Sequence, residues 1–526
     1  MLKLIRLINT IKYLKFKQLY YRLFYALRKK VITKRYNNKL NKEVKSIVWL
    51  DYLFNYKSFL GNNNFSFLNV EHHFGKSINW NYSKYGKLWT FNLNYFDFLN
   101  QEKITINQGE ELIQSYIKKD NTLLEGKESY TISLRGINWI KFLSKHQIKN
   151  SEINQVLFNH YQRLIDNLEL QFLGNHYLEN GFSLLFAAYY FQHESFYKQS
   201  KKILKEQLEA QILNDGGHFE LSPMYHQTML HRVLDCINLI TSNDVYYDEE
   251  FSLFLKNKAE LMLAWLKNVT YKNGNIPMVN DSTFGIALSS SELFNYASFL
   301  DLNIEKKELS DSGYRKISKN NYELFLDVGE VGASYIPAHA QSDTFSFELQ
   351  INGNPFIVDP GISTYEKNKI RNQQRSTFYH NTVVVNNKEQ TDVWGGFRVG
   401  KRAFPKLIIE TKNQIIAEHN GYNHLGVTHK RLFNFGDKII EIKDEVIGKK
   451  TFKSEAHLHF HPSLDTIKVE DKEMTISALR ISFGGKVNYI DIKNYDYCLG
   501  FNKTTNAQKA IIGFEHELTT NIDLLI

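Results

Sequence analysis

Apolar positions along the chain change period near residue 320. Between about residues 100 and 300 they recur at helical spacing, in the segments Ile137–Leu143, Ile153–Leu173, Gly181–Phe191, Tyr197–Leu213, Gln227–Ile240, Glu249–Val269 and Ser291–Leu300. Short polar connections separate them, which predicts antiparallel helix hairpins in an all-α layer. No fixed repeat length is visible, so a regular solenoid is not expected. Beyond residue 320 the period falls to two. Thr344–Leu349 alternates so that Phe345, Phe347 and Leu349 share a face. Short runs follow at Phe356–Val358, Thr382–Val385, Leu407–Glu410, Ile439–Lys443, Thr466–Val469 and Lys486–Ile492, with turn signals at Asn352-Gly353, Phe435-Gly436-Asp437 and Gly484-Gly485. That pattern predicts an antiparallel sandwich or stacked sheets. The expected class is α+β multidomain: an arm over residues 1–45, helices over 46–315 and β-sheets over 316–526, with a cleft between the halves as the natural place for a site.

The arm has its own pattern. Leu4, Leu7, Ile8, Ile11 and Leu14 share one helical face, and Tyr20, Leu23 and Leu27 continue the stripe after a phase shift. Basic residues interrupt every apolar run, so neither a secretory signal peptide nor a membrane span is expected. Two readings stand: peripheral contact of a basic amphipathic helix with an anionic membrane, or a helix packed on the body with its charges solvated. The expected compartment is cytoplasmic or membrane-peripheral, with the periplasm as the alternative.

Composition sharpens this. The chain of 526 residues, enough for roughly two or three domains, has 65 Lys+Arg against 56 Asp+Glu. Residues 1–42 hold 13 of the basic residues and no acidic one, so the remainder carries 52 against 56, a net of −4. The positive charge belongs to the arm. No glycine-rich phosphate loop or RNA-binding signature accompanies it, so nucleic acid is not an expected partner. Cys236 and Cys498 lie too far apart in sequence for a disulfide framework or a multi-cysteine zinc module.

Three stretches are polar and locally ordered: Gly174-Asn175-His176-Tyr177-Leu178-Glu179-Asn180-Gly181, Asp215-Gly216-Gly217-His218-Phe219-Glu220-Leu221-Ser222-Pro223-Met224-Tyr225-His226, and Pro337-Ala338-His339-Ala340-Gln341-Ser342-Asp343. Each alone reads equally as capping and turn chemistry. Together with Leu88-Trp89-Thr90-Phe91-Asn92-Leu93-Asn94-Tyr95-Phe96-Asp97, Ser133-Leu134-Arg135-Gly136-Ile137-Asn138-Trp139, Val358-Asp359-Pro360-Gly361, Arg375-Ser376-Thr377, His380-Asn381-Thr382 and Trp394-Gly395-Gly396-Phe397-Arg398, they resemble the heparinase II/III family of polysaccharide lyases, oligoalginate lyases included. The resemblance implies an incomplete α/α toroid followed by antiparallel β-sheets, and cleavage of a uronic-acid glycan by β-elimination.

In that reaction a proton leaves the carbon beside the uronate carboxylate while the glycosidic oxygen departs from the next carbon. The carboxylate opposes the developing negative charge, so a neutral or cationic donor must sit against it. The resemblance assigns this to Asn175 and His176, with Glu179 sharing a hydrogen bond, and assigns acid–base work to Tyr225 and His339. Arg135, Arg371, Arg375 and Arg398 suit bidentate grip of carboxylates or sulfates, with structural ion pairing as their other reading. Trp89, Asn92, Tyr95, Trp139 and Trp394 lie within matched motifs, where the aromatic rings suit stacking on sugars. Many relatives have His-x-His-x-Asp where this chain has His339-Ala340-Gln341-Ser342-Asp343, so a zinc site is in doubt. No cofactor is required, although Asp359 and His380 are left as candidate ligands for a divalent metal, zinc or calcium. The triplet His457, His459 and His461 alternates onto one strand face, as a metal site would require, but no matched carboxylate or fourth ligand is evident nearby, so it reads as solvated or substrate-facing. Two other functions compete. One is a non-degrading glycan-binding protein of surface polysaccharide assembly. The other is a hydrolase using Asp215 and Glu220.

Overall fold

The computed structural model describes residues 2–31 and 34–525. Two helices, Leu2–Ile11 and Phe16–Val31, form the arm, and the break between them accounts for the phase shift in its apolar stripe. A small three-stranded sheet (Phe59–Gly61, Asn64–Phe67, Val70–His73) precedes the helical half. Among its helices, Ser129–Lys145 and Gly174–Phe191 are buried almost all round, so they form the inner wall that the amphipathic helices Ser151–Asp166, Glu194–Gln211 and Glu249–Val269 pack against. Short polar connections work as caps: Asn150, Asp248 and Ser289 each accept from a backbone N–H of the first helical turn.

The predicted helix Ile153–Leu173 stops at Asp166. Asn167 turns its side-chain nitrogen back onto the Arg163 carbonyl at 2.7 Å, and the segment up to Leu173 folds as turns. Apolar spacing continued through those turns because Leu168, Leu170 and Leu173 also face the core.

The β half contains a four-stranded antiparallel sheet (Tyr314–Ser318, Tyr322–Asp327, Phe347–Ile351, Asn354–Ile357) and a ten-stranded one. The latter is built on two 22-residue strands, Leu479–Gly500 and Lys503–Leu524. Strands Val427–Phe435 and Ile439–Gly448 alternate buried and partly exposed positions, and the inner faces of the two sheets share one apolar core. Phe345, Phe347 and Leu349 all enter that core, although the strand begins only at Phe347 because Phe345 takes a φ of 69°. Gly484-Gly485, predicted as a turn, lies inside a long strand at a register shift. His457 and His459 are buried within the large sheet, not solvated or substrate-facing, and His459 shares a hydrogen bond with Asn381 at 3.1 Å.

The last helix of the helical half ends at Phe299 and the first strand of the β half starts at Tyr314. Asp215 fastens this linker. One carboxylate oxygen accepts from Ser310 N, Ser312 N and Ser312 Oγ at 3.0, 2.9 and 2.6 Å, and the other accepts from Gly217 N at 3.0 Å. The turn depends on Gly216, whose φ is 94° and whose missing Cβ would lie 2.1 Å from the Leu261 carbonyl oxygen. Asp215→Ala should lower stability by about 2–4 kcal/mol, since it strands buried donors. Urea unfolding followed by tryptophan fluorescence checks this, with Ser310→Ala as a near-neutral control.

Candidate active site

The three polar stretches converge where the helical half faces the β half. Leu173 and Gly174, both with φ of 59°, turn the chain into the helix Gly174–Phe191. Its second residue, Asn175, donates from its backbone to Glu220 Oε1 at 3.3 Å and from its side chain to Glu220 Oε2 at 2.8 Å. The Glu220 carboxylate thus rests on a helix N-terminus, where the macrodipole favours it. Two residues on, Ser222 caps the helix Pro223–Thr241 by accepting from Tyr225 N at 3.2 Å, which sets Tyr225 in the first turn.

His339 comes from the β half and lies face to face with Tyr225, ring centroids 3.9 Å apart. Its Nδ1 is 3.0 Å from Asp281 Oδ2, and its Nε2 is 3.7 Å from Glu220 Oε2. Asp281 also takes a two-pronged ion pair from Arg371, at 2.6 and 2.5 Å, and a hydrogen bond from Gln341 at 3.0 Å. Burial alone would raise the Asp281 pKa, but Arg371 and the His339 hydrogen bond outweigh it and hold the carboxyl well below its ordinary range. The ionised Asp281 beside Nδ1 fixes the orientation of the His339 ring and turns Nε2 toward Glu220.

The Tyr225 hydroxyl is 3.1 Å from that of Tyr365. Burial first, then Tyr365, Asp281 and Glu220, push the Tyr225 pKa well above 10, so its phenol keeps its proton. Phe397 closes the cluster, 5.2 Å from the Tyr365 ring and 6.2 Å from His339.

His176 is the open side of the site, with 44% of its side chain exposed. Its Nδ1 is 3.0 Å from Glu169 Oε1 and its ring lies 4.5 Å from Tyr130. Burial works against protonation, yet Glu169, then Glu220 and Glu179, raise its pKa above the usual histidine value. Glu179 lies deeper, bound to Arg232 Nε at 3.1 Å, and Tyr95 stands behind Tyr130 with ring centroids 6.1 Å apart.

Several predicted ligands are elsewhere or otherwise engaged. Arg135 is fully buried, stacked 4.7 Å from the Tyr116 ring and donating to the Asn94 and Gly126 carbonyls. Arg375 is spent on the Ala340 and Gly396 carbonyls, and burial with neighbouring Arg371 lowers its pKa to about 9. Arg371 is committed to Asp281. Arg371 and Arg375 offer no free fork to a carboxylate, because each carries backbone carbonyls or an acid in the core, whereas Arg135 keeps Nε and Nη2 without a partner but is fully buried. Trp89 and Trp139 are buried as well, Trp89 donating to the Val70 carbonyl, and Asn92 donates within its own helix to Leu88. Trp394 donates to Thr10 of the arm, and exposed Arg398 stacks on Trp394 at 4.7 Å.

The candidate metal ligands do not form a donor set. His380 Nδ1 is taken by Asp359 at 2.8 Å, Asp359 also accepts from Gly361 N, and Gln341 is bonded to Asp281. Among the described residues no group of three or more His, Cys, Asp or Glu could hold a metal ion. Asp215, one of the two hydrolase candidates, is consumed by the linker. Glu220 was read in sequence only as the other. Asp281, Tyr365, Tyr130 and Arg232 lie outside every motif quoted above, and Phe397 lies inside one with no role assigned to it, although Asn280-Asp281-Ser282-Thr283, a polar run between buried segments, is a readable signal for Asp281.

Known proteins match this architecture in order. The family model "Heparinase II/III N-terminus" covers residues 9–309, and "Heparinase II/III-like, C-terminal" covers 302–524. The chain is 25% identical over 367 residues to a heparin-sulfate lyase of Bacteroides stercoris, covering 64% of this chain and 53% of that protein. It is likewise 25% identical over 345 residues to one of Pedobacter heparinus, covering 58% and 50%. The chain therefore spans about half the length of these curated relatives. A heparinase III crystal structure superposes with TM-score 0.64 at 17% identity over 85% of this chain and 79% of that one. A chondroitinase AC lyase shares the fold with TM-score 0.54 at 9% identity, covering 86% and 78%. From the helical half that carries Asn175 and Tyr225 to the β half that carries His339, the chain belongs to the heparinase II/III family.

Proposed function

We propose that this protein is a polysaccharide lyase that cleaves an acidic, uronate-containing glycan by β-elimination. The reading rests on one observation: two groups suited to proton transfer, Tyr225 and His339, stack at 3.9 Å beside an amide and an imidazole, those of Asn175 and His176. The uronate carboxylate lies against the Asn175 amide and the raised-pKa His176, whose hydrogen bonds strengthen as charge moves onto the carboxylate in the transition state. Glu220 and Glu169 hold these two donors in position. His339, its Nδ1 proton directed at Asp281, uses Nε2 to take the proton beside the carboxylate. Tyr225 keeps its own proton and delivers it to the departing glycosidic oxygen. Tyr365 aligns that hydroxyl. The products are a new reducing end and an unsaturated uronate on the other fragment.

Purified protein incubated with heparan sulfate, alginate and hyaluronan should generate the ultraviolet absorbance of an unsaturated uronate from at least one of them. Tyr225→Phe should lower kcat by about 10²–10⁴-fold, and Asn175→Ala by about 10²–10³-fold. Reducing ends without new absorbance would mean hydrolysis. Binding without any cleavage would mean a glycan-binding role in polysaccharide assembly.

His176 carries a pH signature. Its folded pKa is raised, so the Glu169 interaction contributes fully below the unfolded value of about 6.5 and is lost as pH rises through the folded value. NMR titration of the His176 ring should give a midpoint above 6.5, and Glu169→Gln should move it down.

A further inference from the structure

The two arm helices are mounted with their polar sides inward. On the first, Arg6 pairs with Asp392 at 2.9 Å, and Thr10 donates to the Val399 carbonyl at 3.0 Å while accepting from Trp394. On the second, Gln18 is fully buried against the Phe172 carbonyl. Arg22 donates to Gln171 O, Tyr25 to Leu168 O and Arg28 to Asp166 O. Residues 18, 22, 25 and 28 make one helical face, and 6 and 10 make the corresponding face of the first helix. The opposite faces are apolar and point outward. Leu4, Ile8 and Ile11 are 61, 56 and 41% exposed, and Phe16, Leu23 and Leu27 are 81, 62 and 54% exposed. A surface helix of a globular protein is ordinarily oriented the other way round, so this stripe is an unpartnered apolar surface.

Charge identifies what covers it. Residues 1–42 have 13 basic residues and no acidic one. Among the described residues only Arg6, Arg28 and Lys34 of this stretch meet a carboxylate. A second copy of the chain pairing through the same face would bring two such arms together against like-charge repulsion. Anionic lipid headgroups instead neutralise Lys12, Lys17, Lys29 and Lys30, while the acyl boundary takes the apolar stripe. No helix among the described residues is long and apolar enough to cross a membrane, which is consistent with a helix lying in the interface plane.

We propose that the arm docks the protein peripherally on an anionic membrane through the outward stripe from Leu4 to Leu27. Docking then sets the candidate site beside the lipid surface. Arg6 and Thr10 hold the segment Asp392–Val399, and Phe397 of that segment packs on Tyr365 and His339.

The test is flotation of the full-length protein with phosphatidylcholine vesicles and with vesicles enriched in phosphatidylglycerol. The protein should float with the anionic vesicles and much less with the neutral ones, and raised salt should weaken binding. Lys29→Gln with Lys30→Gln should weaken partitioning by about 30-fold at low salt. Leu4→Glu with Ile8→Glu and Leu23→Glu should abolish flotation while the circular dichroism spectrum is unchanged, since all three residues are already exposed. Absence of flotation with either vesicle overturns the proposal. So does a dimer in sedimentation analysis that the same glutamate substitutions dissolve, because that outcome assigns the face to a second copy. Flotation does not read catalysis, so its result stands apart from that of the elimination assay.

Discussion

One buried carboxylate organises the centre of the molecule. Asp281 comes from the loop between the last two helices of the helical half, and its two oxygens receive Arg371, His339 and Gln341, all from the β half. Its backbone N–H also donates to the His339 carbonyl at 3.1 Å. An ionised carboxylate without solvent is tolerable only when donors saturate it, and losing one partner of such a pair typically costs about 3–5 kcal/mol. That requirement locks the loop of His339, the short helix of Arg371 and the inter-helix loop of Asp281 into one geometry. The orientation of the candidate base is therefore a by-product of satisfying a buried charge.

The arginines illustrate how far charge is diverted to structure. Arg371 and Arg375 both donate to the Gly396 carbonyl, and Arg375 reaches the Ala340 carbonyl beside His339. They brace the two loops that close over Tyr225 and Tyr365. With these cations internal and the body net negative, the donors left at the candidate site for the proposed acidic glycan are His176 and neutral groups such as Asn175. Arg398 is the exposed guanidinium at the rim, stacked on Trp394 where the arm touches the β half. The arm's own cations stand beside that rim: Lys15 lies 3.8 Å from the centroid of the Tyr335 ring.

Much of this was legible residue by residue. Glu249–Val269 was predicted with its observed ends, because its apolar period runs uninterrupted between short polar connections. Asn352-Gly353 forms the turn its residues suggest, with φ of 50° and 78°. Asn175, His176, Tyr225 and His339 were nominated from ordered motifs, and the fold brings all four together. Arg135 and Trp139 were misread because a motif marks constraint without saying whether it is chemical or steric. Packing against Tyr116 and the carbonyls of Asn94 and Gly126 constrains Arg135 as tightly as a ligand would. Tyr365 escaped notice because a lone aromatic in a loop has no local signature, and Phe397 stood inside a matched motif that could not say what it touches. Their meaning arises only from what they touch.

Periodicity, turn chemistry and the one-sided charge of residues 1–42 are local properties, so the chain itself specified helices before sheets, their approximate limits and an arm chemically unlike the body. Burial and pairing are properties of distant residues brought together. The fold alone therefore settled that the arm packs by its polar face, that three arginines belong to the interior, and that Asp281 and Glu220 flank His339. The reason is the same in each case. An amphipathic stripe states that one side differs from the other but not which side meets the protein, and a charged side chain becomes a ligand or a girder according to which donors and acceptors surround it.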